Sequence, residues 1–128
     1  MVSAVNAAVS GLDAATKRLQ VSANNTANQS STQSNVNGQV VDKPYTPQQV
    51  DQVTLSSGGV QAKVRDVNPP TTTEVNPSNP QGNTQQVPNV NPQQEVLNKQ
   101  LASYDFKANL KTIKVANDTL NSLLNITA

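Results

Sequence analysis

The chain has 128 residues, a formal net charge of +1, 34% hydrophobic, 2% aromatic and 13% charged residues, and neither His nor Cys. The near-neutral balance gives no basic footprint for nucleic acid and no polybasic membrane patch. The missing His and Cys remove the commonest general base, the commonest metal ligand and any disulfide framework.

Globular domains are about 45–50% apolar, so this chain has little apolar area with which to offset the entropy of ordering. A free monomer is expected to be partly disordered, with its helices ordered in an assembly. No window approaches the roughly 20 apolar residues of a membrane span. The stretch Met1 to Gly11 lacks the basic and apolar regions of a cleavable signal peptide.

Val2 to about Asn28 reads as the first helix. Val2, Val5, Val9, Leu12, Thr16, Leu19, Ala23 and Thr26 follow alternating spacings of three and four, a heptad seam whose large anchors are Leu12 and Leu19. Alanines at 4, 7, 8, 14 and 15 add helix propensity, and Gly11 marks a close contact or a hinge. The seam suits an intermolecular coiled coil better than an internal core, because the rest of the chain has so little to bury. The Asn, Ser, Gln and Thr run from 24 to 37 favours caps and loops, so the helix is predicted to fray near Asn28. Asn37-Gly38 is a turn signal.

Residues 45–67 are the one region with strand character. Val53 and Leu55 alternate, Ser56-Ser57-Gly58-Gly59 can turn, and Val60, Ala62 and Val64 alternate after it, with Gln61, Lys63 and Arg65 outward. One β-hairpin is predicted, leaning on a helix or a neighbour because a lone hairpin is marginal in water. Residues 68–88 carry Pro69, Pro70, Pro77, Pro80 and Pro88 without periodicity and read as an extended connector.

Asn91 as N-cap, Pro92 at the first helical position and Gln94 three residues on then open a long helix to about Ile126. It carries two apolar stripes. Leu97, Leu101, Tyr104, Ala108 and Val115 form one, and Phe106, Leu110, Ile113, Leu120 and Leu124 form the other. One stripe suffices for a helix on a globular domain. Tyr104 and Phe106 cannot share a face, so one stripe is expected to meet the N-terminal helix and the other a neighbouring molecule.

The predicted fold is mainly α, with long N- and C-terminal helices paired as a coiled-coil-like hairpin. One structural unit is expected in three parts: 1–30, the first helix; 31–90, polar loop, hairpin and connector; and 91–128, the second helix. The eight Asp and Glu residues are scattered, and the serines lack a His partner. No enzyme activity, cofactor or metal is therefore expected. The Asn-x-Ser/Thr matches at Asn24, Asn28, Asn117 and Asn125 are what chance supplies in so Asn- and Thr-rich a chain.

Two segments resemble the signatures of the flagellar rod, hook and hook-associated family. The first is Ser10-Gly11-Leu12-Asp13-Ala14-Ala15 followed by Arg18 to Asn28, ending in Asn25-Thr26-Ala27-Asn28. The second is Asn89-Val90-Asn91, Glu95, Phe106-Lys107-Ala108-Asn109 and the closing Leu123-Leu124-Asn125-Ile126. Pro44-Tyr45, Gly58-Gly59-Val60 and Val87-Pro88-Asn89-Val90-Asn91 are similar to the proximal-rod members. Phe106 stands where the family often has Tyr, and polar residues around Ser31-Thr32 replace a frequent Thr-Pro-Gly-Tyr.

The resemblance implies a structural subunit of the basal-body rod, exported by the flagellar type III apparatus without a cleaved signal peptide and located in the periplasm. Its implied partners are other rod subunits and copies of itself, with no nucleic acid and no membrane insertion. The contact residues expected are Val5, Val9, Leu12, Leu19, Leu97, Leu101, Tyr104, Phe106, Leu110, Ile113, Leu120 and Leu124, with Asn28 and Asn109 capping or cross-linking through hydrogen bonds. The rival expectation is a soluble helical-hairpin adaptor or chaperone-like binding module.

Overall fold

The structure, a computed structural model, describes residues 2–32, 35–36, 39–40, 44–56, 58–75 and 84–127. Two long helices dominate it, α1 (Val2–Asn28) and α2 (Pro92–Thr127), with small two-stranded ribbons between them. Helix α2 starts where the cap signals place it: the Gln94 amide donates to Asn91 Oδ1 at 3.1 Å. The reciprocal half of a capping box is replaced, since the Gln94 side chain instead donates forward to Asn98 Oδ1.

The helices pack antiparallel. Ser22 Oγ donates to the Glu95 carbonyl at 2.8 Å, Arg18 pairs with Asp105 at 2.8 Å, and Gly11 faces Asn109. The first ribbon joins β1 (Asn35–Val36) to β2 (Gln39–Val40). Its Asn37-Gly38 turn lies outside the described residues.

The second ribbon is the predicted hairpin, β3 (Gln48–Thr54) with β4 (Val60–Asp66), laid along α1. Gly58 and Gly59 have φ of +85° and +89°, a left-handed region open to glycine without strain. A side chain on Gly59 would also strike Ser10 and Ala7 of α1, so the tip can sit directly on the helix. There the Val60 amide donates to Ser10 Oγ at 3.1 Å. Register places Val53 opposite Gln61, on the face with Lys63 and Arg65. Val50, Ala62 and Val60 share the opposite face and are half-buried, whereas Val53 is 46% exposed.

Two expectations are corrected here. Residues 68–88 are not a structureless connector: β5 (Thr71–Val75) pairs with β6 (Thr84–Pro88). The β-branched run Thr71-Thr72-Thr73 suits an extended strand, and Pro88 is the last residue of the ladder, opposite Thr71. Strand structure is accordingly not confined to residues 45–67.

The interior is unusual in its residues. Among the described residues the buried apolar side chains are Ala8, Ala14, Ala15, Val21, Pro47, Val87, Pro88, Ala102 and Ala116, with Ser22, Asn25 and Glu95 buried beside them. None of these is Leu, Ile or Phe.

Candidate functional site

Successive helical residues are about 100° apart, which sorts each helix into faces. On α1, the line Ala8, Gly11, Ala15, Arg18, Ser22 and Asn25 meets α2. A second line, Ala7, Ser10, Ala14, Val21 and Asn25, faces the β3–β4 ribbon. On α2, the line facing α1 is Glu95, Asn98, Ala102, Asp105, Asn109 and Ala116. The internal contact is thus made of small and polar residues, which bring the helices close.

The heptad seam of α1 is therefore not the surface that meets α2. It is rotated by about 110° from that surface. Val2 is 76% exposed, Val9 52% and Leu19 46%, while Val5 and Leu12 are half-buried.

The expectation that one α2 stripe meets α1 is corrected, since neither faces α1 squarely. Phe106 is 40% exposed, Leu110 46%, Leu120 43% and Leu124 67%, with Ile113 half-buried at the edge of the contact. On the other stripe Leu97 is 51% exposed, Leu101 52%, Tyr104 68% and Val115 56%. The physical reason is size. Alanine and glycine let two backbones approach, and Leu or Phe on that line would hold them apart.

The exposed stripes fall on opposite flanks of the helix pair. On α2, Phe106, Leu110 and Ile113 lie about 60° to one side of the α1-facing line, and Leu97, Leu101 and Tyr104 about 110° to the other. Because the helices run antiparallel, the same sense of rotation turns both toward one flank. Val5, Val9, Leu12 and Leu19 of α1 thus flank Phe106, Leu110 and Ile113 of α2, on the side away from β3 and β4. The half-burial of Val5, Leu12 and Ile113 fits residues on the shoulders of such a groove.

A polar hub holds this arrangement at the other end. Asn25, 1% exposed, uses its whole amide. Its Nδ2 donates to the Gln48 carbonyl at 2.7 Å and to Glu95 Oε1 at 2.8 Å. Its Oδ1 accepts from the Gln48 amide at 3.0 Å and the Tyr45 hydroxyl at 3.2 Å. Asn98 Nδ2 donates to the second Glu95 oxygen at 3.3 Å. Burial first, then the Glu95 and Asp66 carboxylates, push the Tyr45 phenol above its ordinary value. One asparagine thereby ties α1, β3 and α2 together.

The two asparagines expected to cap or cross-link behave differently. Asn28 turns back on its own helix, donating to the Asn24 carbonyl at 2.9 Å. Asn109 donates to the Asp105 carbonyl at 2.8 Å and lies against Gly11 across the pair. The hub residue Asn25 and its partner Glu95 were missed. The signal that finds them is the small-residue line Ala8, Gly11, Ala15, Ser22, which ends on Asn25 with the same three-four spacing.

Among the described residues no cluster of three His, Cys, Asp or Glu could hold a metal, and no helix is long and apolar enough to cross a membrane. No protein-family model matches the chain, and no curated protein matches it.

Proposed function

We propose that the chain is a structural subunit of the bacterial flagellar basal-body rod, in its proximal part. In this reading it assembles through its terminal helices into a helical axial tube that transmits torque and passes exported subunits. The two helices act as a coiled-coil-like pair in one structural unit, with the ribbons outward. The chain works as no enzyme and needs no cofactor. It leaves the cytoplasm through the flagellar type III apparatus and joins other rod subunits and copies of itself in the periplasm.

One observation carries the reading. The helices bind each other through alanines and hydrogen bonds and leave their large apolar side chains outside. A polymer subunit needs that distribution, because its real core forms between molecules. The resemblance of the residues at both ends, from Ser10 to Asn28 and from Asn89 to Ile126, supports the choice of family. The adaptor reading draws its support from the buried Asn25, Ser22 and Glu95 contacts, which favour a self-contained helical hairpin. It predicts a monomer that melts sharply.

The test is genetic. Cells lacking the chain are expected to form no complete rod and to be non-motile. A Phe106→Asp chain is expected to be made and exported yet to leave the rod unbuilt. Normal rods in cells without the chain would overturn the assignment.

A further inference from the structure

On one face of the β5–β6 ribbon, Thr72 and Glu74 stand opposite their register partners Val87 and Gln85. Between that face and the end of α1 lies a cleft of about 340 Å³, within the roughly 300–1,000 Å³ of small-ligand sites. Gln29, Ser30 and Thr32 close it from the end of α1, and Val90 and Pro92 from the approach to α2.

The lining offers acceptors and no cation. No Lys or Arg lines the cleft. Among the described residues, Gln29 Oε1 is the one buried side-chain oxygen or nitrogen without a hydrogen-bond partner. Nearly all buried polar groups in folded proteins are paired, so such an atom calls for a donor. Among the described residues no cation pairs with the Glu74 carboxylate either. Helix α1 ends at the cleft with no basic residue in its last turn to complement its dipole. Nor does the start of α2 supply the positive charge. Pro92 has no N–H, the Gln94 amide is taken by Asn91 Oδ1, and Glu95 stands in the first turn.

We propose that this cleft binds a guanidinium group carried on an aliphatic stem. A guanidinium presents five donors in one plane and is more weakly hydrated than an ammonium, so it loses less on entering a cleft. Its bond to Glu74 is charge-assisted. A second donor meets Gln29 Oε1 once that amide turns toward the cleft, and the Ser30 and Thr32 hydroxyls accept others. The methylene stem lies on Val87 and Pro88, both buried in the wall. An anion would instead meet the Glu74 carboxylate with no counter-charge. The group can come from an arginine side chain of another protein or from a free alkylguanidine. The site lies apart from the exposed helix stripes, and it stands whether or not the chain is a rod subunit.

The test is a titration of the isotope-labelled full-length chain, followed by NMR. The probes are acetyl-arginine amide and butylguanidine, with neutral acetyl-citrulline amide and butylamine as comparisons. Both guanidinium probes are expected to shift the Gln29 and Gln85 side-chain amides saturably, with acetyl-citrulline amide giving no such shift and butylamine binding more weakly. Glu74→Gln is expected to weaken both guanidinium probes by about tenfold or more. Gln29→Leu is expected to weaken them similarly while leaving the urea midpoint unchanged or raised, because it removes an unpaired buried oxygen. Tighter binding of acetyl-arginine amide than of butylguanidine assigns the site to a protein side chain, and the reverse order to a free molecule.

Absence of saturable binding, equal binding of acetyl-citrulline amide, or indifference to Glu74→Gln overturns the site. Butylamine binding as tightly as butylguanidine overturns the choice of guanidinium. A urea midpoint lowered by Gln29→Leu shows that the oxygen has a partner within the fold, and overturns its role as the waiting acceptor.

Discussion

Asn25 shows how one side chain can hold three elements. Its amide has two donors and an acceptor oxygen with two lone pairs, and all four are used. Deleting it leaves the Gln48 amide and carbonyl, the Tyr45 hydroxyl and a buried Glu95 oxygen short of a partner. Orphaned buried polar groups cost about 1–3 kcal/mol each, offset in part by entering water. Asn25→Ala is therefore expected to destabilise by about 2–4 kcal/mol in urea unfolding. Asn28→Ala, which removes one exposed bond within a helix, should cost about 0.5 kcal/mol or less. Equal losses for the two would refute the hub.

At the scale of the element, the closeness of α1 and α2 depends on Gly11. A Cβ there would lie 2.5 Å from Asn109 Nδ2 and 2.7 Å from its Cγ. Glycine in mid-helix costs about 1 kcal/mol against alanine, so something must hold it in place. The clash from overpacking costs about 1–3 kcal/mol and outweighs that gain. Gly11→Ala alone is expected to destabilise by about 1 kcal/mol. In an Asn109→Ala background the sign should reverse, and the same substitution should stabilise by about 1 kcal/mol. A double-mutant cycle by thermal or urea unfolding reads both. If Gly11→Ala stabilises the native background, the helix spacing is not set at this position.

For the whole molecule, the surface is the informative quantity. The accessible area is 8813 Å², against about 6,500 Å² for a compact chain of 13.5 kDa. Among the described residues 18 large apolar side chains are exposed. Burying six of them against a neighbour contributes about 10 kcal/mol at about 1.5 kcal/mol each. That is of the same order as the 4–15 kcal/mol cost of association, so contacts this size support assembly where the internal alanines cannot.

The hub also sets how the folded chain responds to alkali. Tyr45 has a raised pKa in the fold, so the folded state favours the protonated phenol. Its contribution is complete below the unfolded value of 10.0 and is lost as pH rises through the folded value. Stability is expected to fall at alkaline pH. Tyr45→Phe should flatten the part of that fall due to the phenol, while Tyr104→Phe, on a side chain 68% exposed, should leave it in place. Urea midpoints across the alkaline range check this.

The elements were legible in the sequence because their signals are local. Pro92 after Asn91 starts α2, Gly58-Gly59 turns the hairpin, and three-four spacings of apolar residues announce helices at both ends. The β5–β6 ribbon was not legible, because its pairing lies across a proline-rich stretch with no alternation. Which faces meet was not legible either. Apolar periodicity points to the largest side chains, whereas the tertiary structure joins α1 to α2 through Ala8, Gly11, Ala15, Ala102 and Asn109. Close approach of two backbones rewards small residues and fully paired polar groups, and these score as nothing on a hydrophobic pattern. The residue pattern was enough to show helices with more apolar surface than the chain can bury. Only the fold decided that Val9, Leu19, Leu110 and their neighbours are the surface left over, because small residues had already taken the internal contact.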